Sequence, residues 1–293
     1  MELLKIIADF RQPFLDTFFQ CITIIAEETF VIVVLCWLYW CHDKILAYSL
    51  GFTYFLSGLL VQGLKLTFKI PRPWILDPDF EPVASAVPAA TGYSFPSGHT
   101  QSGAALFSTL GFSSRKISFK ILFFFFMILI GFSRMYLGVH TPQDVCTSMI
   151  LTLMISFIIN QYCQSILNKS EHAKTFGFLL LLTCIVMLIY TCIFYFTQTE
   201  DQYMAESAWK ACGAGFGFAF GYYLECTKIQ FTIPILWKDK ILRFFIGLLS
   251  VVILLVIFEL TIDHFLIGKM ISYFILVLWI VAVYPFLFSK FHK

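Results

Sequence analysis

The chain has 293 residues, of which 59% are hydrophobic and 13% charged, a balance that excludes a water-soluble globular domain. A net charge of only +2, with no basic tract interleaved with aromatics, argues against a nucleic-acid partner. The 35 phenylalanines suit lipid-facing helices, so a bilayer is the expected surrounding.

The opening stretch, MELLKIIADFRQPFLD, carries charges of both signs, a short apolar piece and no small-residue cleavage site. It is therefore expected to be retained, not removed as a signal peptide. A crossing helix needs about 20 mostly apolar residues, because backbone amides cannot stay unpaired in hydrocarbon. Windows of that kind predict nine crossings, near residues 20–41, 45–67, 98–113, 119–138, 142–166, 175–197, 207–225, 241–262 and 268–289. Glu27 and Glu28 interrupt the first, so that Pro13 to Ile25 is alternatively an amphipathic helix lying along the interface. The third is short and the seventh rich in glycine. The predicted fold class is all-α, a polytopic transmembrane helical bundle of about nine spans.

Nine cysteines (Cys21, Cys36, Cys41, Cys146, Cys163, Cys184, Cys192, Cys212 and Cys226) are scattered through apolar stretches without Cys-x-x-Cys spacing. They are expected to be small buried apolar residues, not a disulfide framework. Cytoplasmic loops carry the excess of lysine and arginine. One set of alternate loops holds Lys44, Arg115, Lys116, Lys120, Lys169, Lys174, Lys228, Lys238, Lys240, Arg243, Lys290 and Lys293, and is assigned to the cytoplasm. The opposite set holds Lys5, Arg11, Lys65, Lys69, Arg72, Arg134, Lys210 and Lys269 with the acidic loop Glu200, Asp201 and Glu206.

Polar residues at helix ends in so apolar a chain are costly, and three clusters stand out. In the first, Lys65-Leu-Thr-Phe-Lys-Ile-Pro-Arg72-Pro73, the prolines stop the second helix. Lys65 then falls in its last turns and Arg72 just beyond, where both can point to one spot; alternatively they snorkel to headgroups. In the second, Phe95-Pro96-Ser97-Gly98-His99, Ser97 is a natural N-cap, and the amides of Gly98 and His99 offer an anion seat. The bland alternative is an ordinary cap with a histidine at the interface. In the third, Ser133-Arg134-Met-Tyr-Leu-Gly-Val-His140-Thr-Pro-Gln-Asp144, Thr141 can cap and Pro142 suits the first helical position. Asp144 can hold His140 by its Nδ1–H, complete a capping box with Thr141, or do both. The charge pattern puts all three clusters on the outer side. His42, His172, His264 and His292 are read as loop or terminal residues.

Lys65, Arg72, Arg134 and the Ser97–His99 backbone can together cradle a phosphoryl group. A neutral His140 oriented by Asp144 can attack phosphorus through Nε2, and His99 can protonate the leaving oxygen. No carboxylate cluster is spaced to hold magnesium, since Asp77, Asp79 and Glu81 read as a solvated loop. No metal or other cofactor is therefore expected.

A lysine six residues before Arg-Pro, then Pro-Ser-Gly-His, then Ser-Arg with five residues to His and three more to Asp, resembles the three-part signature of the type-2 phosphatidic acid phosphatase superfamily. The pattern is matched without departure over roughly residues 45–165. The resemblance implies a helical core and metal-independent dephosphorylation. It assigns His140 as nucleophile, His99 as acid and Asp144 as the partner of His140. Lys65, Arg72, Ser97, Gly98 and Arg134 would bind the phosphate. The layout is also similar to that of the glucose-6-phosphatase branch. Residues 1–168 are then expected to form the catalytic transmembrane core, with the helices of 169–293 packed on it in an unassigned role.

The expected substrate is a membrane lipid phosphate or a polyprenyl diphosphate, such as phosphatidic acid or undecaprenyl diphosphate, hydrolysed at the plasma membrane with the site extracytoplasmic and the carboxyl terminus cytoplasmic. Two alternatives stay open: the same chemistry on a soluble sugar phosphate such as glucose 6-phosphate, and a non-catalytic transporter or phosphate-binding scaffold. Gly213, Gly215, Gly217 and Gly221 lie in an apolar helix and are read as helix contacts, not as a phosphate loop. Lys210, Glu225, Glu259, Asp263 and His264 are expected to snorkel or pair at the membrane ends.

Overall fold

A computed structural model describes residues 1–167 and 169–291, apart from the side chains of Cys163, Ser170 and Phe291. His292 and Lys293, counted above as a terminal residue and a cytoplasmic charge, lie outside the described residues, as does the Cys163 side chain. The described chain is helical, in the order α1 (Glu2–Ala8), α2 (Pro13–Ile24), α3 (Glu28–Trp37), α4 (Lys44–Phe68), α5 (Pro73–Leu76), α6 (Gly98–Ser113), α7 (Ile117–Tyr136), α8 (Pro142–Ile158), α9 (Ser170–Thr197), α10 (Glu206–Leu224), α11 (Trp237–Thr261), α12 (Leu266–Leu278) and α13 (Tyr284–Phe291).

Local chemistry sets the boundaries that matter for the site. Asp43 caps α4 by accepting from the amides of Ile45 and Leu46 at 2.9 and 3.1 Å. That helix ends where Lys69 turns left-handed (φ 50°), just before Pro71 and Pro73. Ser97 caps α6, and Thr141 with Asp144 forms a reciprocal capping box on α8, with Pro142 at its first position.

Each of the nine predicted crossings corresponds to a helix or helix pair, but among the described residues only six segments are long and apolar enough to cross a membrane by themselves. A seventh is the pair Pro13–Ile24 and Glu28–His42, bent by 46° where the acidic residues interrupt the first window. The other two, α6 and α10, have 16 and 19 residues. Their small and polar residues suit a place inside the bundle: α6 packs against α4, α7 and α8, and α10 against α4, α9 and α12. At the other extreme is α11, whose most apolar window is only 17% buried and presents Leu249, Val252 and Leu260 outward, as hydrocarbon requires. The protein is an integral membrane protein.

One continuous apolar core joins the two halves of the chain. Phe218 of α10 stacks edge-on against Phe52 of α4 (5.2 Å between centroids), and the Trp40 indole donates to the Ile280 carbonyl at 3.0 Å. At the end remote from the three clusters, Glu225 is buried and accepts from both Lys44 and Tyr48. The glycines of α10 serve helix contact. A Cβ on Gly213 would lie 2.0 Å from the Met270 carbonyl oxygen, and one on Gly217 2.5 Å from that of Phe274, so α12 rests on bare backbone. Of the other polar groups at these ends, Lys210 pairs with Glu206 at 2.6 Å and Asp263 accepts from Ser272, while Glu259 and His264 are exposed. The reading of the cysteines as buried holds for Cys36, Cys41, Cys184, Cys212 and Cys226, and needs correcting for Cys21 and Cys146, which are exposed. Exposure to lipid suits a small apolar thiol as well as a core does.

Candidate active site

The three clusters meet at one end of the bundle. Arg72 precedes α5, in the rigid segment after α4, and donates from Nε to the Gly92 carbonyl (3.0 Å) and from a terminal nitrogen to that of Thr91 (2.5 Å). Its other terminal nitrogen meets the Val139 carbonyl at 3.1 Å and His140 Nε2 at 2.9 Å. Lys65, in the last turn of α4, donates to the Tyr93 carbonyl at 2.5 Å. Thus three successive carbonyls, Thr91, Gly92 and Tyr93, hold two cations. Gly92 makes that possible, since its φ of +66° bends the loop in a way that L side chains resist.

Arg134, near the end of α7, is fully buried. One of its nitrogens donates to Thr23 Oγ1 on α2 at 3.2 Å, whereas Nε and the other terminal nitrogen have no partner among the described residues. A buried guanidinium edge without an acceptor is costly, and an anion would satisfy it.

His140 is 1% exposed. Its Nδ1 lies 3.4 Å from Asp144 Oδ2 and 3.5 Å from the Ser94 hydroxyl. Ser94 in turn donates to the same carboxylate oxygen at 2.6 Å, and the Thr141 amide donates to it at 2.8 Å. With Nδ1 facing the carboxylate, Nε2 is the ring atom that accepts from Arg72. Burial, then the charges of Arg72, Arg134 and Lys65 and the neighbouring His99, push the His140 pKa well below the usual histidine value. Those influences disfavour a charged ring, and the contact with Asp144 orients the imidazole. Asp144 takes both roles set out from the sequence, capping α8 and facing His140.

Lys65, Arg72, Gly98, His99 and His140 line a common cavity of about 300 Å³. The His99 imidazole has no hydrogen-bond partner among the described residues and lines the cavity, free to meet a ligand there. Gly98 has open space where a Cβ would stand, and as first residue of α6 its amide has no intrahelical acceptor. Ser97, in contrast, is buried beneath the helix start, its hydroxyl accepting from Thr100 Oγ1 at 2.9 Å. Its side chain contributes the cap, its amide donates to the Asp144 carbonyl at 3.1 Å, and its carbonyl accepts from Ser148, so the Gly98 amide and not that of Ser97 is placed to meet a phosphate.

Ser94 and Thr23 are two members of this network that the motif reading passed over. Their partners Asp144 and Arg134 lie far along the chain, so no local spacing marks them. Asp77, read as part of a solvated loop, pairs with Lys5 at 2.7 Å, and the Glu81 carbonyl accepts from Arg11 at 2.5 Å. Among the described residues, no three His, Cys, Asp or Glu side chains are grouped to hold a metal ion.

Residues 46–167 match the family model described as PAP2 superfamily. Residues 209–293 match a second, described as PAP2 superfamily phosphatase, transmembrane extension. Undecaprenyl-diphosphatase BcrC of Bacillus subtilis is 32% identical over 108 residues, which cover 36% of this chain and 53% of that protein. A probable sphingosine-1-phosphate phosphatase of Dictyostelium discoideum is 27% identical over 255 residues, 80% of this chain and 59% of the relative. The chain thus spans between half and three fifths of the length of these two curated relatives. Among solved structures, LpxE of Aquifex aeolicus is 30% identical, with 55% of this chain and 94% of that one covered and a TM-score of 0.49. With both models matched, one on each half and together more than half of its length, the chain belongs to the PAP2 superfamily, the type-2 phosphatidic acid phosphatases that its three motifs resemble.

Proposed function

We propose that the protein is a membrane phosphatase that hydrolyses a lipid phosphate or polyprenyl diphosphate through a phosphohistidine on His140, without a metal. The observation that carries this reading is the orientation of His140: Nδ1 faces Asp144, and the Nε2 lone pair faces Arg72, where a phosphoryl group would be gripped. In the first step Nε2 attacks phosphorus, the bond from phosphorus to the leaving oxygen breaks, and His99 gives that oxygen a proton. In the second, His99 takes a proton from water, whose oxygen displaces the imidazole and releases phosphate. Lys65, Arg72, Arg134 and the Gly98 amide would spread the transition-state charge.

The charge pattern of the loops supports an extracytoplasmic site and a cytoplasmic carboxyl terminus, with the plasma membrane as the expected location. A brief reaction of purified protein with radiolabelled substrate tests the mechanism. Label should be recovered on His140 in an acid-labile bond, and phosphate release should continue in EDTA. Absence of label with turnover intact, or a strict need for added magnesium, overturns it.

A second reading, a soluble sugar phosphate as substrate, is favoured by one feature: Gln62, Gln101 and Ser102 give the cavity polar atoms beside the cradle. Comparing turnover of phosphatidic acid, a polyprenyl diphosphate and glucose 6-phosphate separates the two.

A further inference from the structure

The cavity has another wall that the phosphate chemistry leaves unused. Also lining the cavity are Ser207 and Lys210 of α10, Tyr273 of α12, and Glu28 in the first turn of α3. None of these four residues lies within 46–167, the segment that matches the PAP2 domain. Glu28 is exposed and lines the cavity. Among the described residues its carboxylate makes neither a hydrogen bond nor an ion pair within 4.0 Å. Lys210 lines the same cavity, but its ammonium is engaged by Glu206 at 2.6 Å, and the other oxygen of Glu206 takes Lys269 at 2.8 Å. Tyr54 and Ser102 line the same cavity, and Ser102 stands three residues, about one helical turn, after His99 on α6.

A carboxylate that lines a cavity without a partner of its own attracts a cation there. A cavity of about 300 Å³ has room for a single head group, so whatever meets Glu28 belongs to the molecule whose phosphate sits in the cradle. A carboxylate that shares a cavity with Lys65 and Arg72 is complementary to a zwitterion, with phosphate at one end and ammonium at the other. A second phosphate at that place would meet a like charge.

We infer that Glu28 is a specificity-determining residue that receives the ammonium of an amino-alkyl phosphate, and that α10 and α12 of the extension build the wall that encloses it. The inference rests on the phosphatase reading of the cradle and narrows it, favouring a monophosphate with a nearby amine over a diphosphate.

The test compares 2-aminohexadecyl phosphate with hexadecyl phosphate, which differ only in the amine, on the full chain in detergent. Wild-type kcat/KM should favour the amino substrate by about tenfold or more. Glu28→Gln should bring that ratio to about one, and Glu28→Asp, which keeps the charge, should retain a preference. A wild-type ratio near one, or a ratio unchanged in Glu28→Gln, overturns the inference. Calorimetric binding of the two matching phosphonates gives the same ratio without turnover. A binding preference that depends on Glu28, in protein that hydrolyses neither phosphate, would uphold the subsite and count against the phosphatase reading alone.

Discussion

The two halves of the molecule are held together by different physics. In the half that carries the motifs, Lys65, Arg72, His140 and Asp144 are each fixed by at least one polar contact, much of it to backbone carbonyls and amides. In the extension, α10 and α12 meet through glycine and bare backbone, with polar contacts mainly at the membrane ends. Side chains that must hold one geometry for chemistry are anchored by directional bonds. Helices that only have to form a wall are anchored by close approach.

The largest effect that would sharpen this contrast is expected at His140. His140→Ala should lower kcat/KM by at least about 10³-fold with the Tm preserved, measured as phosphate release and by thermal unfolding in detergent. A variant that keeps its activity would return the protein to the scaffold reading.

A pair of glycines, one from each half, gives the next test. Gly98→Ala places a methyl in open cavity space, so it should leave Tm unchanged while lowering kcat/KM by about 10²-fold, because it crowds the phosphate oxygen at the α6 amide. Gly213→Ala should do the reverse. Its Cβ would lie 2.0 Å from the Met270 oxygen, and the forced shift of α12 costs about 1–3 kcal/mol, more than the roughly 1 kcal/mol gained in helix propensity. A drop in Tm for Gly98→Ala, or none for Gly213→Ala, would break the division of labour.

Smaller still is the effect at Ser94, which bridges Asp144 and His140 without touching the cavity. Ser94→Ala should reduce kcat about tenfold with KM little changed, since the residue positions the imidazole and does not bind substrate. The gentlest test is of pH. Because the His140 pKa is lowered below its usual 6.5, the ring stays neutral as pH falls through 6.5, and protonation is postponed to more acidic solution. Nitrogen-15 NMR of histidine-labelled protein should therefore show a neutral His140 at pH 6. A charged ring at that pH would contradict the buried, cation-flanked environment.

Most of the candidate site was legible in the sequence because short spacings encode it. Pro71 and Pro73 had to stop α4 beside Lys65, Ser97 had to start α6, and Thr141-Pro142 had to start α8 one residue after His140. Each is a local rule of helix ends. Less was legible in the number of spans. Hydropathy reports contact with lipid, whereas α6 and α10 are largely surrounded by protein and can be small, polar and short.

Composition and local pattern thus determined the helices, their ends, the bilayer as solvent, and the eight residues of the proposed site. Only the tertiary structure decided what surrounds those residues: the carbonyls of residues 91–93 that grip the cations, the Ser94 and Thr23 hydroxyls behind the site, and the Glu28 carboxylate that lines the same cavity. Hydrogen bonds and charges act over a few ångströms in space regardless of separation along the chain. Contacts such as Ser94 to Asp144 or Thr23 to Arg134, 50 and 111 residues apart, therefore leave no spacing to read.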